Sequence, residues 1–177
     1  MSFNIAHRRI GLDSEPFIIA EMSGNHNQSL ERALRIVEAA AQTGAHALKI
    51  QTYTADTMTL NLRAGEFFVA DKQNLWQGRT LHELFAEAHT PWQWHAPIFD
   101  SARKLGMIPF STPFDTTAVE FLEKLDVACY KIASFENTDL PLIRRVASTG
   151  KPMIISTGMS DLAELDECNH GSCSCGR

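Results

Sequence analysis

Residues 17–26 read Phe17-Ile18-Ile19-Ala20-Glu21-Met22-Ser23-Gly24-Asn25-His26, a short apolar segment that runs into a turn with one glycine. Similar apolar segments alternate along the chain with segments of helical spacing, which predicts parallel strands joined by helical crossovers. Two folds have this order, the open doubly wound sheet and the (β/α)8 barrel. A nucleotide-binding open sheet carries several glycines after its first strand. The single glycine therefore favours the barrel.

Five short apolar segments are predicted to form strands, at residues 17–21, 45–52, 107–112, 127–134 and 152–157. A complete barrel takes roughly 250 residues and eight strands. The 177 residues of this chain therefore predict an α/β protein with a partial TIM barrel, about the first five βα units. We expect residues 1–167 to form this incomplete barrel. Residues 168–177 form a Cys-rich tail of different composition, which we expect not to be native to the fold.

Residues that cap helices mark the predicted helix starts, at Asn27 or Ser29, Thr80, Thr90, Asp115, Thr138 and Ser160. Thr80 is followed three residues later by Glu83, and Thr90 by Gln93, which is the spacing of a capping box. The last helix is predicted to end at Glu167.

The composition is that of a globular protein, since 44% of the residues are hydrophobic and 21% are charged. The formal net charge of -5 gives no basic surface for nucleic acid. No apolar segment approaches the ~18 residues of a membrane span, and the first eleven residues carry charges, unlike a signal peptide. We expect a cytoplasmic protein that binds neither nucleic acid nor a membrane.

The cysteines do not have the spacing of a disulfide framework, because Cys168, Cys173 and Cys175 all lie in the last ten residues. The fourth, Cys129, lies in a predicted strand. With His170, the three tail cysteines lack the two separated ligand pairs of a structural zinc site. We expect neither disulfides nor a functional zinc site.

Two lysines lie inside predicted strands, Lys49 in residues 45–52 and Lys131 in residues 127–134. Burying a lysine is costly unless an anion meets it. Hydroxyl residues follow at the strand ends, where the chemistry of a barrel lies; they are Thr112, Ser134 and Ser156. Together, the two lysines and the hydroxyls indicate a site for a phosphate or carboxylate ligand. The alternative is that each lysine pairs with an internal carboxylate such as Glu21.

Single hydroxyls and histidines carry less information about function. A Ser or Thr after a strand commonly caps the next helix. A lone histidine, such as His26 or His46, is more often a hydrogen-bonded structural residue than a base or ligand. We expect structural roles for both histidines.

Five blocks of the sequence read IAEMSGNHN (19–27), LKIQTYTADT (48–57), FSTPFD (110–115), YKIASFE (130–136) and KPMIISTGM (151–159). In this order they resemble the sialic acid synthase family, from about residue 17 to residue 167. The wording of the first two blocks is most similar to the pseudaminic acid branch of that family.

The resemblance implies a condensation of phosphoenolpyruvate with an N-acetylated six-carbon amino sugar, which yields a nine-carbon 2-keto sugar acid and phosphate. By position it implies that phosphoenolpyruvate is held by Lys49, Thr112, Lys131, Ser134 and Ser156. It also implies that Glu21 faces the sugar as a catalytic residue. The resemblance further implies that the parent enzyme uses a divalent cation, Mn2+ or Mg2+, and forms a homodimer.

The sequence also departs from the family pattern. Two metal-binding histidines on later strands and a C-terminal domain are typical of the family, and neither is present in this sequence. We therefore expect no metal ligand in this chain, and a truncated, inactive form of a parent enzyme with open strand edges. Two alternatives remain open, a Schiff-base aldolase with Lys131 or Lys49 as the imine-forming residue, and a non-catalytic truncated product.

Overall fold

Five parallel strands form the central sheet of residues 2–173, which are the residues that the computed structural model describes, with side chains for residues 2–171. The strands are β3 (Ile19–Glu21), β4 (Ala47–Thr52), β5 (Ile108–Pro113), β6 (Tyr130–Ile132) and β7 (Met153–Ile155). Their order in the sheet is their order in the chain. A doubly wound sheet reverses its order at a switch point, whereas a barrel winds in one direction. The sheet is therefore half of a (β/α)8 barrel, which confirms the predicted fold class.

Helices follow the strands in the predicted alternation. They are α1 (Leu30–Gln42), α2 (Ala55–Met58), α3 (Leu81–Ala88), α4 (His95–Lys104), α5 (Thr116–Glu123), α6 (Leu140–Ala147) and α7 (Leu162–Cys173). Most of the predicted caps are confirmed: Ser29 caps α1, Asp115 caps α5, and Thr80 with Glu83 forms a capping box on α3. Asp139, one residue after the predicted Thr138, caps α6. None of the helices within residues 2–173 has the length and apolar content to cross a membrane.

The capping box predicted at Thr90 is wrong. The Thr90 side chain is buried, and its Oγ1 lies 3.1 Å from Nε2 of His26. A short 3-10 helix, Trp92–Trp94, follows instead, and α4 begins at His95. The Thr90 hydroxyl is therefore engaged in a buried contact with His26 and does not cap a helix.

The two histidines predicted to be structural have that role. His26 packs edge-on against Trp94, with 5.5 Å between the ring centroids. His46 accepts a hydrogen bond on Nδ1 from the backbone N–H of Ile18 at 2.9 Å, and stacks on Phe17. Both rings therefore hold the segment around β3 in place.

Two features near the ends of the chain differ from the sequence prediction. An antiparallel hairpin of β1 (Ser2–Ile5) and β2 (Arg8–Gly11) precedes the sheet, and its Ile5 is buried in the core. At the other end, α7 does not stop at Glu167.

The extension of α7 places residues of the predicted tail against the half-barrel. Cys168 is buried as a free thiol, and Gly171 lies close to Leu140 and Ile143 of α6. Small side chains at these positions allow α7 and α6 to approach each other. The predicted boundary after residue 167 thus falls inside a helix, while Cys175 and the side chain of Cys173 lie outside the described residues.

Candidate active site

The predicted site residues lie on one face of the sheet, toward the carboxyl ends of its strands. Along β4, Leu48, Ile50 and Thr52 are buried, whereas Lys49 and Gln51 are partly exposed. Side chains alternate between the two faces of a strand, so these two polar residues share a face. This face is the interior side of the half-barrel, since the other face packs on the helices.

Lys49 connects three neighbouring strands. Its register partner in β3 is Glu21, and the Lys49 ammonium forms an ion pair with the Glu21 carboxylate. Nζ also donates a hydrogen bond to Oγ1 of Thr112 in β5 at 3.4 Å. The internal pairing with Glu21 that the sequence left open is therefore present for Lys49. This ion pair is accessible to solvent, because the side chain of Glu21 is 38% exposed.

Lys131 has different surroundings. Its Nζ donates hydrogen bonds to the carbonyl of Ile132 at 2.6 Å and to Oγ of Ser156 at 2.5 Å. Among residues 2–173, no carboxylate lies within the 4.0 Å of an ion pair from this ammonium. Burial, and next the positive charge of Lys49, lower the pKa of Lys131. This lysine is held by neutral acceptors, and an anion beside it would stabilise its charge.

The hydroxyls predicted to bind phosphoenolpyruvate do not cap helices. The helix after Thr112 is capped by Asp115, and the helix after Ser134 is capped by Asp139. Thr112 and Ser156 instead accept hydrogen bonds from the two lysines. The structure therefore brings together Glu21, Lys49 and Thr112 on one side, and Lys131 with Ser156 on the other.

Ser134 lies just beyond β6, where it begins the short 3-10 helix Ser134–Glu136. Within residues 2–173 no hydrogen bond joins its hydroxyl to either lysine. Its place at the strand end fits the predicted site, and its predicted role stays a prediction.

Glu136 is a site candidate that the sequence did not single out. Its Oε2 atom is buried and has no hydrogen-bond partner among the residues that the structure describes. Burial raises the pKa of Glu136, and the nearby Lys131 opposes this shift. The sequence signal was weak, because a glutamate two residues after Ser134 looks like a solvated loop residue.

A buried polar chain supports the site from the helix side of the sheet. Oγ1 of Thr52 lies 2.6 Å from Oγ of Ser111 and 2.8 Å from Nε2 of His95. Ser111 also donates to the carbonyl of Ile50 at 3.0 Å. Burial lowers the pKa of His95 to about 4, so that the ring is neutral near pH 7. These bonds tie β4, β5 and α4 together directly behind Lys49 and Thr112.

The described residues do not fit a metal centre. Over residues 2–173 there is no group of three His, Cys, Asp or Glu side chains that could hold an ion. Glu21, the carboxylate next to the lysines, is already paired with Lys49. A divalent cation would find at most part of its ligand set here.

Comparison with known proteins decides the family. Residues 36–170 match the model of the NeuB family. The chain belongs to the NeuB family. It is 48% identical to the pseudaminic acid synthase of Campylobacter jejuni and 45% identical to that of Helicobacter pylori. In both cases the match covers 86% of this chain and 44% of the relative, so this NeuB family chain spans less than half the length of these curated relatives.

A solved structure shows the same fold. The N-acetylneuraminic acid synthetase of Leptospira borgpetersenii, in complex with citrate, superimposes with a TM-score of 0.82 at 26% sequence identity. The match covers 98% of this NeuB family chain and 55% of the Leptospira chain. The half-barrel is thus the arrangement that a sialic acid synthetase has over the matching residues.

Proposed function

We propose that the protein to which this chain belongs condenses phosphoenolpyruvate with an N-acetylated six-carbon amino sugar, forming a nine-carbon 2-keto sugar acid of the pseudaminic acid type and phosphate. The relatives named pseudaminic acid synthase support this class of product. The observation that carries the proposal is the pair of strand lysines, of which Lys131 has only neutral hydrogen-bond acceptors.

Phosphoenolpyruvate carries a phosphate and a carboxylate, and the site offers matching groups. Charge-assisted hydrogen bonds to such anions are about twice as strong as neutral ones. We assign Lys49 and Lys131 to the two anionic groups, with Thr112, Ser134 and Ser156 as hydroxyl donors. An anion beside Lys131 would offset the repulsion that Lys49 exerts on it.

In the proposed reaction, C3 of phosphoenolpyruvate forms a bond to the aldehyde carbon of the sugar. The aldehyde oxygen takes a proton and becomes a hydroxyl. Water adds its oxygen to C2, and phosphate leaves as the C2 carbonyl forms. The lysines hold the anionic groups in place while positive charge develops at C2. Glu21 lies beside Lys49 with its carboxylate partly open to solvent, which suits a residue that accepts a proton from the water or orients the sugar.

The proposal also includes the predicted metal ion, oligomeric state, location and turnover. We propose that the whole protein uses Mn2+ or Mg2+, with ligands outside the described residues, and acts as a homodimer in the cytoplasm. A polypeptide of these 177 residues is proposed to bind phosphoenolpyruvate but not to turn it over, because residues 2–173 supply no metal centre.

Binding of phosphoenolpyruvate to the 177-residue chain, measured by titration calorimetry, tests the anion site. Lys131→Ala and Lys49→Ala are each expected to weaken binding about 10- to 100-fold, since each removes a charge-assisted contact. Lys151→Ala is the matched control, because Lys151 pairs with Glu123 at 2.8 Å and belongs to no predicted site. Unchanged affinity in either site variant would remove that lysine from the proposed site.

The pH dependence of the same titration tests Lys131 alone. Its ammonium must be charged to bind an anion, and its pKa is lower than that of an ordinary lysine. We expect affinity to fall as the pH rises through this lowered pKa. Lys131→Arg is expected to retain binding over the same range, because arginine stays protonated. An identical pH profile in the two proteins would contradict the assignment.

A second candidate function rests on the same lysine. A lysine whose pKa is lowered by burial and by a neighbouring cation is suited to form an imine with a keto acid. Borohydride reduction in the presence of pyruvate would then attach pyruvate irreversibly to Lys131. We expect no such adduct by mass spectrometry, whereas its appearance would favour the Schiff-base aldolase.

A further inference from the structure

The side chain of Asn137 joins the loop after β6 to the segment that follows β7. It is only 3% exposed, and its Nδ2 donates a hydrogen bond to the carbonyl of Ser156 at 3.3 Å. Nδ2 also donates to the hydroxyl of Ser160. A side-chain amide has two N–H donors, so both are engaged within the chain. Asn137 therefore has no donor left for a ligand and belongs to the interior of the fold.

Ser160 accepts this bond because it does not cap α7, although the sequence predicts a helix start there. The Asp161 N–H donates to the Glu164 carboxylate at 3.0 Å, and the Glu164 N–H donates to the Asp161 carboxylate at 2.9 Å, which is the pattern of a capping box. The Ser160 N–H donates to the carbonyl of Thr157 at 3.3 Å and closes a turn. The amide of Asn137 is thus bonded to both ends of the segment that follows β7.

The position of Ser156 is set by few bonds. β7 has three residues, and in the part of the chain that the structure describes it pairs with β6 alone. Ser156 lies one residue beyond β7, where its N–H donates to the carbonyl of Ile132 at 3.1 Å. Its carbonyl accepts from Asn137, so both backbone groups of Ser156 are bonded to β6 or to the loop after it. This arrangement places the Ser156 hydroxyl 2.5 Å from Nζ of Lys131.

The loop after β6 also carries Ser134, one of the three hydroxyl residues of the proposed site. Ser134 begins the 3-10 helix Ser134–Glu136, and Asn137 is the first residue after that helix. A turn of 3-10 helix leaves little freedom between residues three apart, because its hydrogen bonding fixes the backbone between them. The bond from Asn137 to Ser156 therefore also fixes the backbone of Ser134 relative to the end of β7.

We infer that Asn137 is a positioning residue of the proposed active site, which holds the Ser156 hydroxyl at the ammonium of Lys131 without contacting the anion. The inference rests on the proposed function and adds to it a residue outside the set that binds phosphoenolpyruvate. Without the amide, the segment after β7 is released from the loop after β6. Lys131 then keeps the carbonyl of Ile132 as an acceptor and loses the hydroxyl. An acceptor stabilises the charged form of a lysine, and this form binds an anion.

The charge of Lys131 is measurable without any ligand. NMR titration of the chain with isotope-labelled lysine reports the pKa of each ammonium, and Lys131→Arg identifies the signal of Lys131. Ser156→Ala removes the hydroxyl and is expected to lower the pKa of Lys131. We expect Asn137→Ala to lower this pKa as well, and the double variant to lower it no further than Ser156→Ala does. An unchanged pKa in Asn137→Ala would overturn the inference. The charged groups that face Lys131 stay the same in these three variants; they are Lys49, Glu21 and Glu136.

Calorimetry with phosphoenolpyruvate tests whether the effect reaches the anion site. Asn137→Ala is expected to weaken binding about 3- to 10-fold, the range of one neutral hydrogen bond. In a chain that already carries Ser156→Ala, the same change is expected to add less than about twofold, because residues that act through one another are not additive. The full loss in both backgrounds would overturn the inference. Where Asn137→Ala prevents folding, Ser160→Ala removes only one of the two acceptors, and a smaller loss with the same dependence on Ser156 is expected.

Val37→Ala is the matched control for a general loss of stability, since Val37 is fully buried on α1, which packs on α4. It is expected to lower the free energy of unfolding and to leave the pKa of Lys131 and the affinity for phosphoenolpyruvate unchanged. An equal loss of affinity in this control would overturn the inference. If phosphoenolpyruvate binds and Asn137→Ala does not weaken it, the inference is wrong and the proposed function stands. If phosphoenolpyruvate does not bind to the folded, unsubstituted chain, the proposed function is wrong, and the inference that rests on it falls too.

Discussion

The middle of the sheet and its two edges differ in burial, although the edge strands are the more apolar in sequence. β4 and β5 pair along six residues, and every residue of β5 is buried. β3 and β7 pair along three residues each, and none of their residues is fully buried. In residues 2–173 neither edge strand has a second strand beside it. A hydrophobic segment is thus buried only as far as its neighbours cover it.

The two lysines of the site differ although β4 and β6 each lie one strand in from an edge of the sheet. The strands on both sides of Lys49 give it a carboxylate and a hydroxyl. Lys131 finds a carbonyl of its own strand and the hydroxyl of Ser156. The side chains on the neighbouring strands therefore decide which lysine is already neutralised within the chain.

A matched pair of substitutions measures the difference between centre and edge most directly. Ile50→Ala in β4 removes a fully buried side chain and is expected to cost about 2 to 5 kcal/mol of unfolding free energy. Ile154→Ala in β7 removes a partly exposed one and is expected to cost about 1 kcal/mol. Urea unfolding followed by circular dichroism gives both values.

A smaller substitution at the same position keeps the test usable where Ile50→Ala prevents folding. Ile50→Val is expected to cost about 0.5 to 1.5 kcal/mol, still with a cooperative transition. If the two Ile→Ala changes destabilised the chain equally, centre and edge would be equally packed, and the comparison would fail.

His95, which is buried behind β4 and β5, predicts that the stability of the chain depends on pH. The pKa of His95 is lowered to about 4 in the folded chain and is near 6.5 when unfolded. Between these values the unfolded state binds more protons, so stability falls as the pH is lowered from about 6.5 to about 4. The loss attributable to His95 is up to about 3 kcal/mol.

Denaturation curves of the chain and of His95→Gln at pH 7 and pH 5 isolate this effect. Carboxylates titrate in both proteins, so the contribution of His95 is the difference between their pH dependences. We expect the variant to lose less stability than the parent on acidification. The same pH dependence in both would show that the pKa of His95 is unchanged by folding and would contradict the prediction.

The smallest effect on stability is expected at the edge itself. Ile18 precedes β3 and is 51% exposed, so Ile18→Lys should change stability by within about 0.5 kcal/mol. A charge beside an open strand edge opposes pairing with other chains. We therefore expect less self-association in a concentration series by analytical ultracentrifugation. Leu12→Lys, at an exposed position outside the sheet, is expected to leave association unchanged.

The sequence was sufficient for the order of the strands but not for their ends. All five predicted strands are present, because each combines apolar residues with clear boundaries. The fourth was predicted over residues 127–134 and spans only Tyr130–Ile132. Strand ends depend on hydrogen bonds to a neighbour, and β6 shares a single register pair with β5. The N-terminal hairpin was missed because its strands carry exposed polar and charged residues such as Asn4 and Arg9.

For the site, the lysines and a set of candidate partners were predictable, but the partner of each lysine was not. A lysine within an apolar strand stands out in any sequence, as Lys49 and Lys131 do. The sequence offered pairing with Glu21 as an alternative for both lysines, and the register of β3 against β4 gives it to Lys49. Glu136 was not predicted, because its burial arises in the short 3-10 helix after β6, which no sequence pattern marks.

The sheet in chain order has a consequence for how the site assembles during folding. The bond from Ser111 to Ile50 joins residues 61 apart, whereas the bond from Lys131 to Ser156 joins residues 25 apart. The longer loop costs about 0.8 kcal/mol more entropy to close. The lower closure cost favours early pairing of β6 with β7. We therefore expect Lys131 to meet its hydroxyl before the longer loop closes and brings the two lysines together.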